Sequence, residues 1–220
     1  MRMSTQTVPF REIIEKLPAD STLTLRNVSW EEYEALLESL GEASGLRVSY
    51  DQGTLQIMTL SSEHESYSRL LEKLLALLSA RLRIRVLSFG SSTMKHKEKG
   101  KGSEPDACFY VQTATAIGHR IRIDFGVDPP PDVVVEIDVS HDSLTKFPTY
   151  AALSVPEIWR YDGKVLLVYH LKQGQYVAAQ SSLALPMLAP GVLTEFLNRS
   201  QQNDQYEILL AFEEWLETLR

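Results

Sequence analysis

Residues 129–159 read PPPDVVVEIDVSHDSLTKFPTYAALSVPEIW, and the fold follows from how that stretch is taken. Val and Ile fill most of 133–139 and three prolines close off its start, which predicts a buried strand. Side chains alternate faces along a strand. Val133, Val135, Ile137 and Val139 therefore share one face, and Asp132, Val134, Glu136 and Asp138 share the other. Glu136 and Asp138 then stand about 7 Å apart on a central strand. Two ionised carboxylates in such a place are costly unless a cation neutralises them or one takes a proton. A hard divalent metal, which favours oxygen ligands, is the simplest reason to keep them.

The prediction extends outward from that strand. Downstream, 147–153 reads as a short helix with Pro148 in its first turn. Segments 157–161, 164–171 and 175–179 form an antiparallel run, turned by Asp162-Gly163 and Gln173-Gly174. Helices over 190–197 and 206–219 close the chain. Upstream, Tyr67, Leu70, Leu71, Leu74, Leu75, Leu78 and Leu82 recur at helical spacing and mark a long amphipathic helix. Before it, Ser29 and Glu32 have capping-box spacing at the head of another helix, and Asp51-Gln52-Gly53 joins a hairpin of 46–50 and 54–60. Strands are expected at 22–25, 84–89 and 106–111, with a further one at 121–125, a basic loop over 91–103 and a short helix over 11–17. The whole is a mixed α/β order around one central sheet flanked by helices. It reads as one domain over 1–220: an appendage at 1–45, a core at 46–171, and a closing strand and helices at 172–220.

Composition narrows the class. The 220 residues are 44% hydrophobic and 23% charged, ordinary values for a globular chain. Lys plus Arg number 22 against 29 Asp plus Glu, and the net charge of −7 argues against bulk attraction to nucleic acid or anionic membrane. Cys108, the one cysteine, excludes an intrachain disulfide and suits a reducing compartment. No run approaches about 20 apolar residues. The N-terminal stretch lacks the apolar core of a signal peptide. A cytoplasmic protein is expected.

Several chemistries fail on spacing. His64 has no partner at HExxH distance, Pro105 stands where a third glycine of a dinucleotide loop belongs after Gly100 and Gly102, and neither GxxxxGK[ST] nor GxSxG occurs. What remains is acidic: Asp106, Glu136 and Asp138 on or beside apolar strands, with Glu65 at the head of the long helix and Lys146 shortly after the central strand. Carboxylates on adjacent strands suit Mg²⁺ or Mn²⁺, and a nearby lysine can orient water or steady negative charge.

Glu104-Pro105-Asp106 followed by Pro131-Asp132-Val133-Val134-Val135-Glu136 resembles the PD…(D/E)XK pattern of restriction-endonuclease-like nucleases. More closely, SSEHESYSRLLEKL, EPDACFY, PPDVVVEIDVS, the Asp142…Lys146…Tyr150 spacing and VPEIWRYDG resemble the Uma-two family of that superfamily. The resemblance implies a restriction-endonuclease-like core, Mg²⁺-dependent cleavage of DNA and a homodimer. By position it makes Asp106 and Glu136 the metal carboxylates and Glu65 the supporting helix glutamate. Asp138 stands where the superfamily lysine belongs, and Lys146 supplies the amine from the next segment.

Each residue also has a plainer reading. Glu65 completes a Ser62-x-x-Glu65 capping box, and His64 suits a helix end. Lys146 can pair with Asp142 at the surface, and Asp138 can accept from Lys146 or a backbone group. Lys95, Lys97, Lys99 and Lys101 are either a solvated loop or phosphate contacts. Arg81, Arg83 and Arg85 alternate as along a strand face, whereas Tyr150 and Trp159 suit the core. Two functional alternatives stand beside DNA cleavage: a non-catalytic binding or self-association protein that keeps the fold, and a metal-dependent hydrolase of RNA or small phosphoesters.

Overall fold

In the computed structural model, residues 13–14, 16–41, 45–140 and 142–219 are described. The described residues build two sheets. The first contains β1 (Thr22–Arg26), β2 (Leu46–Asp51), β3 (Thr54–Thr59), β5 (Met94–His96) and β6 (Lys101–Ser103), in the order β1-β3-β2-β6-β5. The second contains β4 (Leu87–Ser88), β7 (Ala107–Tyr110), β8 (Val133–Ile137), β9 (Glu157–Tyr161), β10 (Leu166–Lys172) and β11 (Gln175–Ala179), in the order β11-β10-β9-β8-β7-β4. All pairings are antiparallel except β8 with β9. The helices are α1 (Trp30–Leu40), α2 (Ser62–Leu82), α3 (Ala114–Ile117), α4 (Phe147–Ala152), α5 (Pro190–Arg199) and α6 (Gln205–Glu217).

The single central sheet expected from the sequence is thus divided, and the division falls at Pro105. Glu104 still belongs to the first sheet: its N–H donates to the Val48 carbonyl at 3.0 Å and its carboxylate accepts from the Val48 N–H at 2.8 Å. Asp106 already belongs to the second, donating to the Val135 carbonyl at 3.0 Å. Pro105 between them has no N–H to offer either ladder, so the chain changes sheets there.

β8 is buried on both faces, as its apolar run requires. Val133, Val135 and Ile137 face the main core, where they meet Leu70, Leu71, Leu74 and Leu78 of α2 and Phe196 and Phe212 of α5 and α6. Each fully buried Leu in such a core contributes about 1.5–3 kcal/mol. Val134 faces a smaller core with Cys108, Tyr150 and Ile158. A third core packs α1 on the first sheet through Tyr33, Tyr50, Leu55 and Ile57.

Local departures from the expectations have local causes. The segment at 91–103 forms β5, a short 3-10 turn and β6 rather than a plain loop. Gly102 is required there because a Cβ would overlap the Tyr33 ring. The strand foreseen at 84–89 shrinks to Leu87–Ser88. Arg81 is still helical and pairs with Glu213, and Arg83 ends α2 at φ 56°, so the three arginines do not share a strand. Residues 121–125 form no strand; Asp124 and Asp128 close a turn instead. Of the helix foreseen at 11–17, residues 13 and 14 are helical and 16 and 17 are not, while 11, 12 and 15 lie outside the described residues. No helix among the described residues is long and apolar enough to cross a membrane.

Candidate active site

The pairing of β7 with β8 sets Ala107 opposite Val135, which brings Asp106 beside Glu136 at the point where the chain changes sheets. Both carboxylates are nearly inaccessible, at 4% and 2% exposure. Asp106 Oδ2 accepts from the Ile137 N–H at 2.7 Å, which fixes it on the strand that carries Glu136. Asp132, the other acid of the sequence pattern, lies elsewhere and accepts from Val111, Thr113 and the Thr113 hydroxyl.

Lys146 reaches the same point from the segment after β8. Its Nζ lies 2.7 Å from Glu136 Oε2, and the side chain is buried. Asp138 explains how it gets there. Its N–H donates to the Tyr161 carbonyl at 2.7 Å, and its carboxylate accepts from Arg160 Nε and from the Ser143 N–H and hydroxyl, each of the latter two at 3.0 Å. Ser143 in turn accepts from the Lys146 N–H at 2.8 Å and begins the turn that leads into α4. Asp138 therefore holds the segment and does not bond to Lys146. Asp142 bonds to the Leu144 N–H and lies 3.7 Å from Arg160, so the surface pair with Lys146 is not formed.

Three residues that sequence reasoning left outside the site complete it. Arg47 on β2 donates from Nε to Asp106 Oδ1 at 3.0 Å and from Nη2 to Glu65 Oε1 at 3.1 Å. His64 on α2 places Nε2 3.1 Å from Asp106 Oδ2, and its Nδ1 is buried with no partner among the described residues. The Tyr150 hydroxyl donates to Glu136 Oε1 and accepts from Ser103 Oγ at 3.0 Å. Of these, Tyr150 carried a signal, four residues after Lys146 and so on the same helical side, and His64 lies in the SSEHESYSRLLEKL stretch of the resemblance, whereas Arg47 carried none. Glu65 is not a cap. Ser61 is the N-cap, accepting from the His64 N–H at 3.3 Å, and Glu65 meets Arg47 and Arg69 instead.

The electrostatics follow from burial and pairing. Desolvation pushes the Glu136 carboxyl up, to about 7, against the opposing pull of the Lys146 charge. Desolvation acts the same way on Asp106, but the bond and charge of His64 with the charges of Lys146 and Arg47 outweigh it and hold that carboxyl below its ordinary range. Desolvation works against the Lys146 ammonium, and the Glu136 and Asp106 charges overcome it and raise its pKa. Lys146 thus stays a cation.

The donor set suits a hard ion. Among the described residues no three His, Cys, Asp or Glu side chains converge as a ready metal cage. Mg²⁺ does not need one, since it is commonly held by one or two carboxylates and keeps several waters. A carboxylate has about four lone-pair directions; the named donors use most of those of Asp106 and about half of those of Glu136. Two small cavities touch the cluster, one at Lys146 and one at Asp106. One of about 200 Å³ is lined by Ser49, Gln56, Thr145, Lys146 and Thr149, and one of about 120 Å³ by Arg47, Glu65, Ser68 and Asp106.

The basic segment lies apart from this cluster in its bonding. Lys95 pairs with Glu34 at 2.7 Å, Lys97 with Glu31 at 3.1 Å and Lys101 with Asp51 at 2.5 Å. Lys99 donates to the Ala152 carbonyl at 2.7 Å.

Residues 30–198 match the model of the Uma2 family, whose description is "Putative restriction endonuclease". The chain belongs to that family, and membership supports a nuclease, a class that generally uses divalent metals. Among curated proteins, none matches. A crystal structure at 1.96 Å, titled as that of "a putative nuclease belonging to DUF820" from Anabaena variabilis, is similar at 14% identity with a TM-score of 0.46, over 68% of this chain and 90% of that one.

Proposed function

We propose that this chain is a Mg²⁺-dependent endonuclease that hydrolyses DNA phosphodiester bonds, a single domain working as a homodimer in the cytoplasm. The observation that carries the reading is the convergence of Asp106, Glu136 and Lys146, from three separate segments, in one buried cluster. Asp106 and Glu136 are the residues to hold Mg²⁺, or Mn²⁺ with the same oxygen preference. When bound, the ion would polarise a phosphoryl oxygen and make a water more acidic. Lys146, held as a cation, would orient the attacking water and steady charge on the phosphate. Glu65 supports Asp106 through Arg47, and Asp138 supports Lys146 by anchoring its segment. Lys95, Lys97, Lys99 and Lys101 contact phosphates by exchanging their present partners for them.

Cleavage of duplex DNA, single-stranded DNA and RNA with Mg²⁺ or Mn²⁺ tests the proposal. Asp106→Ala and Glu136→Ala should each lower the rate by at least about 100-fold, the scale of losing one electrostatic contact in an active site. Unchanged cleavage in both variants sinks the assignment, and preference for RNA or a small phosphoester moves it to that substrate.

One observation favours a second reading, a non-catalytic binding or self-association protein on the same fold. Both carboxylates already have protein cations against them, Arg47 on Asp106 and Lys146 on Glu136. A folded wild type that binds no Mn²⁺ with or without DNA decides for it.

A further inference from the structure

Tyr150 is fully buried, with its ring among Met94, Cys108, Val134, Val155 and Ile158. Packing there needs only a flat apolar ring, which phenylalanine would supply. A hydroxyl in such a place is costly unless it is bonded. Here it has two bonds of fixed direction: it accepts from Ser103 Oγ at 3.0 Å and, with its own proton, donates to Glu136 Oε1.

The second bond matters because Lys146 holds only the other oxygen of that carboxylate, Oε2. A carboxylate gripped at one oxygen is free to rotate about its last bond; gripped at both it has one orientation. Lys146 and Tyr150 are four residues apart, on one side of the turn and α4, so a single short segment supplies both grips. Ser103 stands on β6 in the first sheet and Glu136 on β8 in the second. The Ser103–Tyr150–Glu136 chain therefore spans the two sheets across the switch at Pro105.

We propose that Tyr150 is a positioning residue of this site: its hydroxyl, aligned by Ser103, fixes the orientation in which Glu136, with Asp106, takes a divalent ion. This rests on the metal-binding reading above.

Calorimetric titration of Mn²⁺ into wild type, Tyr150→Phe and Ser103→Ala tests it, with the melting temperature of each recorded separately. Tyr150→Phe should weaken Mn²⁺ binding by at least ten-fold while the variant stays folded, and Ser103→Ala should weaken it less and in the same direction. Wild-type binding that Tyr150→Phe matches, whatever its melting temperature, overturns the inference and leaves the metal reading standing. Wild type that binds no Mn²⁺, alone or with duplex DNA, overturns both.

Discussion

Two regions of this chain are rich in charge, and they are built oppositely. The Asp106–Glu136–Lys146 cluster is nearly sealed from water, and its groups come from strands and a turn far apart in sequence. The hairpin carrying Lys95 to Lys101 is local in sequence, and its lysines reach Glu34, Glu31, Asp51 and a carbonyl around its edge. Lys97 and Glu31 are 64% and 71% exposed, a pair that water could replace at little cost. Lys146 and Glu136 are 6% and 2% exposed, and neither can lose the other without leaving a charge stranded. A charge kept in the interior at such cost needs a task; a charge at the surface does not.

The difference is open to direct attack. The largest effect should come from Lys146→Ala at about pH 8, where Glu136 is ionised: the variant leaves that charge buried without its cation and should cost about 3–5 kcal/mol in denaturant unfolding. Combining Lys146→Met with Glu136→Gln should recover most of that loss. Failure of the double variant to recover would mean that Lys146 stabilises by contacts other than the pair.

A smaller effect should appear with pH. The Glu136 carboxyl is raised from an ordinary 4.5 to about 7 in the folded chain. Between those values the folded state holds a proton there that the unfolded state has released, so this group favours folding as pH falls and disfavours it as pH rises. The stability of wild type relative to Glu136→Gln should therefore decline from about pH 5 to about pH 7.5, measured by unfolding at each pH. A flat or rising difference would break the account of the buried pair.

The smallest effects belong to the hairpin. Lys95→Ala and Lys97→Ala should each change stability by no more than about 1 kcal/mol. If they contact phosphate, each should lower the salt dependence of DNA binding by about one unit of slope. Unaltered salt dependence would leave the hairpin a structural element alone, and the contrast with the buried cluster would sharpen.

Much of the fold was legible because it is written locally. The heptad-like leucines of α2, the valines of β8 and the turns at Asp51-Gln52-Gly53, Asp162-Gly163 and Gln173-Gly174 each encode their own conformation. Asp106, Glu136 and Lys146 were legible as acids and an amine close to apolar strands. The capping of α2 was misplaced by one residue, because the capping-box spacing favours Ser62, with Glu65 three residues on, whereas the backbone makes Ser61 the N-cap with His64 at that position. The strand foreseen at 121–125 failed because aspartates at 124 and 128 bond to each other's backbone and close a turn more cheaply than an edge strand would form.

By itself the sequence determined the longer helices, most strands and the central position of β8, and it singled out Asp106 and Glu136 as acids beside apolar strands. Only the tertiary structure decided that two sheets meet at Pro105, that Lys146 turns inward to Glu136 rather than outward to Asp142, and that Arg47, His64 and Tyr150 join the site. The physical reason is range. Periodicity and turn chemistry act over a few residues, whereas the partner of a buried charge is whichever group the packing of distant segments brings within about 3 Å of it.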